Sequence, residues 1–250
     1  MDTRGHVEQA FDSYTAAYDL SDAKIQLKYI HTKKVAENAA RIARSLKLSG
    51  DDCELNWEIG MLHDIGRFEQ LKRYDTFMDS ESIDHAEFGA DLLFKEGLIE
   101  WFEPDTSKYE LMEMAIRCHN RYEIPVNLNN REKLFAQVIR DADKIDIFRA
   151  NYETGMENIY NVTSEELKQA SVTPAVYEAF LEGHTVLRSL KKTPVDHLIG
   201  HLSLFFGLVY PESQMMVMEQ GYMWKLACFK SDNSSTIEIL ENIRNILFYK

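Results

Sequence analysis

The apolar residues of this chain recur every three or four positions rather than every second one, a spacing that suits helices and not sheets. Between Asp22 and Leu46, for example, Val35, Ala39, Ile42 and Leu46 fall on one stripe. Alternating apolar and polar runs are scarce, and eleven glycines and five prolines in 250 residues leave few breaks. An all-α fold is therefore expected, and the 45% of residues that are apolar supply ample material for its core.

Start and stop signals divide the pattern further. A long helix is expected over Asp22 to Leu46 with His31 in its middle, and a second over Asp51 to Asp64, entered after Ser49 and Gly50 and left at Gly66. The polar stretch FEQLKRYDTFMDSES then reads as a lid, ahead of a third helix from Ser82 to Gly97 with His85 in its first turn. A fourth helix is expected from Ser107, with Glu110 completing a capping box, to His119. A fifth follows Asn130, with Leu134, Val138, Ala142 and Ile145 on its apolar face. Ser164, Thr173-Pro174, Thr193-Pro194 and Ser234-Ser235 open further helices. No Gly/Ser linker, charge block or repeat interrupts the chain. A single domain over residues 1–250 is expected, with a core at about 25–150 and a helical C-terminal extension at about 151–250.

Charge narrows the function classes. With 41 acidic and 28 basic residues the formal net charge is −13, which repels a polyanion, so no nucleic-acid polymer is expected as a partner. A small phosphorylated ligand could still be held by a local metal or arginine. Three cysteines, Cys53, Cys118 and Cys228, lack CxxC spacing and are odd in number, so neither a disulfide framework nor a zinc ribbon is expected. The N-terminal MDTRGHVEQAFDSY has no apolar signal core, and the longest apolar run, near Leu202 to Tyr210, is too short to span a bilayer. The expectation is a cytoplasmic protein without a membrane partner.

The stretch MLHDIGRF, Met61 to Phe68, sets a histidine and an aspartate side by side where an apolar helix runs out. A buried carboxylate needs a partner and a buried imidazole needs its ring nitrogens satisfied, so something positively charged is expected beside them. Collected in order, His31, His63, Asp64, His85, His119 and Asp143 fall on five consecutive predicted helices. Imidazoles and carboxylates without thiolates suit divalent ions such as Mn, Fe, Co, Ni or Zn, and bundles build such sites from facing helices. Six groups suffice for two ions if one carboxylate bridges.

The segments HTKKVAENAARIA, IGMLHDIGRF, SIDHAEFGADLL, AIRCHNRYE and VIRDADKIDIF carry this set in the order H…HD…H…H…D. In that order and context the chain resembles the HD-domain metal-dependent phosphohydrolase superfamily, over roughly Ile25 to Ala150. The resemblance implies an HD-type helical bundle in which His31, His63, Asp64 and Asp143 hold one metal. Asp64 would bridge to a second ion held by His85 and His119, although some relatives use a single ion. It implies a phosphomonoester or phosphodiester of a small phosphorylated molecule, such as a nucleotide, as substrate, cleaved by metal-activated hydroxide attack at phosphorus. Arg67 and Lys144 are candidates to hold the substrate phosphate, with Arg140 and Arg121 weaker ones. Two other readings come with the same resemblance: a di-iron oxygenase of the HD fold, and a nucleotide-binding sensor without turnover.

Four histidines, His6, His184, His197 and His201, lie outside the pattern. His197 and His201 sit four apart but lack the glutamate of HExxH, so core packing is the expectation there. Asp141 and Asp146 are expected to stay clear of the ligand set, turned away from Asp143 by the helix.

Overall fold

The computed structural model describes residues 3–249, and among these there is no strand. The chain resolves into two compact units, Met1–Asp146 and Ile147–Lys250. The first is built from α1 (Thr3–Thr15), α2 (Ala23–Ser45), α3 (Gly50–Leu62), α4 (Ile65–Tyr74), α5 (His85–Ala90), α6 (Tyr109–Cys118) and most of α7 (Asn130–Thr154). Asp22 caps α2 by accepting from the Lys24 and Ile25 amides, and Ser49 caps α3 by accepting from that of Asp52. No described helix is long and apolar enough to cross a membrane.

Two glycines set how closely these helices approach. A Cβ on Gly60 of α3 would lie 2.5 Å from Ala36 Cα, so α3 presses its backbone on the alanine stripe of α2, where Ala36, Ala39, Ala40 and Ala43 are fully buried. Gly66, expected to end the helix before it, is instead the second residue of α4. It is small because α4 crosses α5 there: a Cβ would meet His85 O at 2.6 Å and Gly89 N at 2.7 Å. The supposed lid is thus half helix, and only its second half, beyond Asp75, forms a loop with a short turn at Asp79–Glu81. Gly66→Ala is expected to destabilise the protein by about 2–4 kcal/mol, because backbone on both sides cannot give way. A denaturation midpoint equal to wild type would refute the close-approach reading.

Other boundaries also shift. Asp84, not Ser82, caps α5, and a wider helical turn over Asp91–Lys95 carries the chain on toward Gly97. The Ser107–Glu110 capping box does not form, because Asp105 takes the Ser107 amide and hydroxyl and α6 starts at Tyr109. In the second unit, α8 (Met156–Tyr160), α9 (Ser164–Gln169), α10 (Pro174–Leu181), α11 (Pro194–Leu202), α12 (Pro211–Gln220), α13 (Tyr222–Ala227) and α14 (Ser234–Phe248) follow. The starts of α9, α10, α11 and α14 match the Ser/Thr and Thr-Pro signals, with a Thr163–Glu166 capping box on α9, whereas α8, α12 and α13 begin after Gly155, Tyr210 and Gly221, where no start was expected.

One buried acid of α3 works against the fold at neutral pH. Glu58 is 2% exposed, neither carboxylate oxygen finds a hydrogen bond, and its nearest cation, Lys108 at 3.8 Å, is held by Glu103. Burial pushes its pKa up to about 8, with Lys108 opposing and Glu103 adding to the rise. A carboxyl whose folded pKa lies above its unfolded one favours the protonated fold, so stability is lost as pH rises from about 4.5 toward 8. Glu58→Gln should remove that loss. Urea titrations at pH 5 and pH 8 should show a gain on the order of 1–3 kcal/mol at the higher pH and little at the lower. Equal gains at both would sink the assignment.

Candidate metal centre

Each of the six sequence-predicted groups stands where the local backbone aims it inward. His31 lies in the middle of α2, His63 caps the C-terminal end of α3, and Asp64 next to it stands at the N-cap of α4. His85 is the first residue of α5, His119 follows the last of α6, and Asp143 sits within α7. The four histidines and Asp64 are each at most 5% exposed, while the Asp143 side chain, at 18%, marks the side open to solvent.

The four imidazoles are held by one ring nitrogen and present the other. His63 Nδ1 donates to Gly60 O at 2.8 Å and His119 Nδ1 to Ile116 O at 2.7 Å. Both use a last-turn carbonyl that is left with spare acceptor capacity where the helix stops, Ile116 O also taking the His119 amide, which is why a histidine just past a helix end can be fixed in this way. His85 Nδ1 lies 2.8 Å from Asp79 Oδ2, and His31 Nδ1 lies 2.7 Å from Asp146 Oδ2. A carbonyl or ionised carboxylate can only accept, so Nδ1 carries the proton and Nε2 presents a lone pair.

Those Nε2 atoms gather around Asp64. His31 and His63 Nε2 are each 3.6 Å from Asp64 Oδ2, whereas His85 and His119 Nε2 are 3.4 and 3.7 Å from Oδ1. Asp143 Oδ1 stands 3.0 Å from His31 Nε2 and 3.8 Å from His63 Nε2. The two oxygens of one carboxylate thus face two separate histidine pairs. His31–His63–Asp64 and Asp64–His85–His119 each have the spacing to hold an ion.

The donor set fits a cation on electrostatic grounds. His85 and His119 Nε2 are 3.1 Å apart, and two neutral imidazoles with Nδ1 protonated would bring lone pair against lone pair. His31 and His63 Nε2 are buried without a hydrogen bond. Burial, then the charge of Arg67, pushes His85 down to about 3, and burial lowers His63 as well, so both are neutral ligands. His31 is raised, because the carboxylates of Asp143 and Asp146 outweigh burial and Lys28. Asp64 and Asp143 resist the upward push of burial and stay well below the usual carboxylate range, Asp64 chiefly through Lys28 and His63, Asp143 through His31 and His63.

The positive charge expected beside the His-Asp pair is Lys28, a residue not singled out in the sequence. Its Nζ is 2.7 Å from Asp64 Oδ2. The available signal was spacing, since Lys28 is three residues before His31 on the same face of α2. Arg67 is buried nearby, its Nε 3.7 Å from Asp64 Oδ1, while Nη1 donates to Gln70 Oε1, Phe77 O and Asp79 Oδ1. Lys144, beside Asp143, is pushed down to about 8 by burial and then by Arg140. Arg140 itself is spent on the carbonyls of Cys118, Arg121 and Tyr122, fastening the turn after His119, and Arg121 pairs with Glu87 on the surface. Neither of these weaker candidates reaches the centre.

Asp146 corrects the helical-geometry expectation. Three residues beyond Asp143 it shares that face of α7, and although it does not join the Nε2 cluster it holds His31 from behind. Asp141 does lie elsewhere, buried and accepting from Gln137 Nε2. Asp79, unremarked in the sequence, does for His85 what Asp146 does for His31.

Among known families, the HD domain model matches residues 29–147. Searches of curated proteins and of solved structures found no match. The matched segment holds all six converging side chains and both carboxylates that orient them, and residues 29–147 of this chain are an HD domain.

Proposed function

We propose that the chain is a metal-dependent phosphohydrolase that cleaves a phosphomonoester or phosphodiester bond of a small phosphorylated molecule such as a nucleotide. The observation that supports this most is the splitting of Asp64, one oxygen toward His31 and His63 and the other toward His85 and His119. His31, His63, Asp64 and Asp143 would hold one divalent ion, and Asp64, His85 and His119 a second. When bound, such ions supply positive charge against phosphoryl oxygens and lower the pKa of water.

The chain's own residues prepare the site for that chemistry. Asp146, Asp79 and the carbonyls of Gly60 and Ile116 keep each Nε2 free of a proton and aimed inward. Lys28 neutralises Asp64 and, with Arg67 and Lys144, supplies cations to orient a phosphate in a chain that is otherwise acidic. Mn, Fe, Co, Ni and Zn all suit imidazole and carboxylate ligands.

Metal analysis of protein purified without added metal, followed by a panel of phosphatase and phosphodiesterase substrates, tests the reading. One or two equivalents of a transition ion with turnover of a phosphate ester is the expected result. Bound iron with a mixed-valence spectrum and no ester hydrolysis would move the assignment to oxygen chemistry, and metal-free protein that binds nucleotide without turnover would make it a sensor.

A further inference from the structure

A second group of basic side chains occupies one face of α11 in the C-terminal unit. His197 and His201 are one turn apart there. The Tyr160 ring stacks on His197 with 4.0 Å between centroids, and its hydroxyl is 2.8 Å from His201 Nε2. Lys191 runs across the same face: a Cβ on Gly200 would lie 2.4 Å from both Lys191 Cε and Nζ. The missing side chain at Gly200 is what admits the Lys191 ammonium group against this stretch of α11.

The local carboxylate, Asp196, offsets only part of this charge, because its oxygens are hydrogen-bonded elsewhere and burial with Arg188 still holds Lys191 down. Asp196 accepts from Thr173 N and Oγ1 and from the Lys192 and Thr193 amides, at 2.6–2.9 Å, which uses its acceptor capacity. His201 Nδ1 is buried with no hydrogen-bond partner. The bases also repel one another. Burial and then Arg188 push Lys191 down to about 8, burial and then Lys191 push His197 down to about 4, and His201 is lowered by burial, Lys191, His197 and Arg188. A cation would worsen that repulsion; an anion would relieve it and could accept from the orphaned ring nitrogen.

We propose that this face of α11 binds a phosphate-type oxyanion, free or as the phosphoryl group of a nucleotide, through Lys191, His197 and His201. The site lies wholly in residues 147–250 and does not rest on the hydrolase reading.

The test uses full-length Asp64→Asn protein treated with chelator, so that metal-mediated phosphate binding is removed. Orthophosphate and adenosine monophosphate are each titrated while the imidazole Cε1–H resonances of His197 and His201 are followed. Saturable shifts are expected, and Lys191→Met in the same background should weaken binding about tenfold or more, whereas Lys191→Arg should largely retain it. Phosphate should also raise the thermal midpoint of the parent and not that of Lys191→Met. Should Lys191→Met fail to fold, His197→Gln carries the same comparison. Equal affinity for the two probes assigns the site to free phosphate and tighter nucleotide binding to a phosphoryl group; both support the proposal. Absence of saturable shifts with either probe, or shifts unchanged in Lys191→Met or in the fallback His197→Gln, overturns it.

Discussion

Asp64→Ala protein is expected to lose metal and to have no measurable phosphohydrolase activity on any ester. Asp64 is 2% exposed and is the one group whose two oxygens face both histidine pairs, so its removal takes a ligand from each at once. His85→Ala, by contrast, touches only the second set and should retain part of the metal, while His31→Ala should lose more. Metal content by elemental analysis, read beside steady-state kinetics, separates these variants. An Asp64→Ala enzyme with full metal and wild-type turnover would end the two-ion reading. Arg67→Ala makes an informative comparison: a guanidinium does not ligate a cation, yet Arg67 Nη1 also holds the Asp79 carboxylate that pins His85. Loss of a charge-assisted phosphate contact worth roughly 1.5–3 kcal/mol would reduce kcat/KM by about one to two decades. Any metal lost with it should come from the His85–His119 pair.

Asp146→Asn and Asp79→Asn are each expected to cost about 10–100-fold in metal affinity or activity, although neither residue faces the Nε2 cluster. Each carboxylate accepts the Nδ1 proton of one histidine, at 2.7 Å for His31 and 2.8 Å for His85. An asparagine can turn its amide nitrogen toward Nδ1 and donate instead, which favours the tautomer with the proton on Nε2, where it blocks a ligand position. The two variants should differ in which ion they lose, Asp146→Asn the one near His31 and Asp79→Asn the one near His85. Chelator competition measures the affinity, and imidazole nitrogen shifts of the metal-free variants report the tautomer. Unchanged shifts with unchanged affinity would reduce both aspartates to ordinary packing partners.

The set of converging side chains was legible because it is written in local terms. Histidines that follow a helix end, such as His63 and His119, find a last-turn carbonyl three residues back that can accept from the ring, so their direction follows from where the helix stops. Several helix starts in the C-terminal half were legible for the same reason, since Thr163 accepts from the Glu166 amide three residues on and Pro174 and Pro194 stand at first helical positions, where no amide donor is needed. Gly66 was misread because a glycine can end a helix or let another backbone approach, and only the partner, α5, tells which. The polar run after it was misread in turn, because α4 buries one face against neighbours far away in sequence.

By itself, then, the sequence determined an all-helical chain, the six side chains with metal-binding chemistry, and their order along five consecutive segments, all set by periodicity, caps and residue type. Tertiary structure alone decided which ring nitrogen His31 and His85 offer, that Lys28 is the cation beside Asp64, that Asp146 and Asp79 stand behind the histidines, and that Arg140 is spent on a turn. Lys28–Asp64 and His31–Asp146 join residues 36 and 115 positions apart, Arg140 reaches Cys118 22 positions back, and Asp79 meets His85 because the loop between them folds back; no local spacing encodes such contacts.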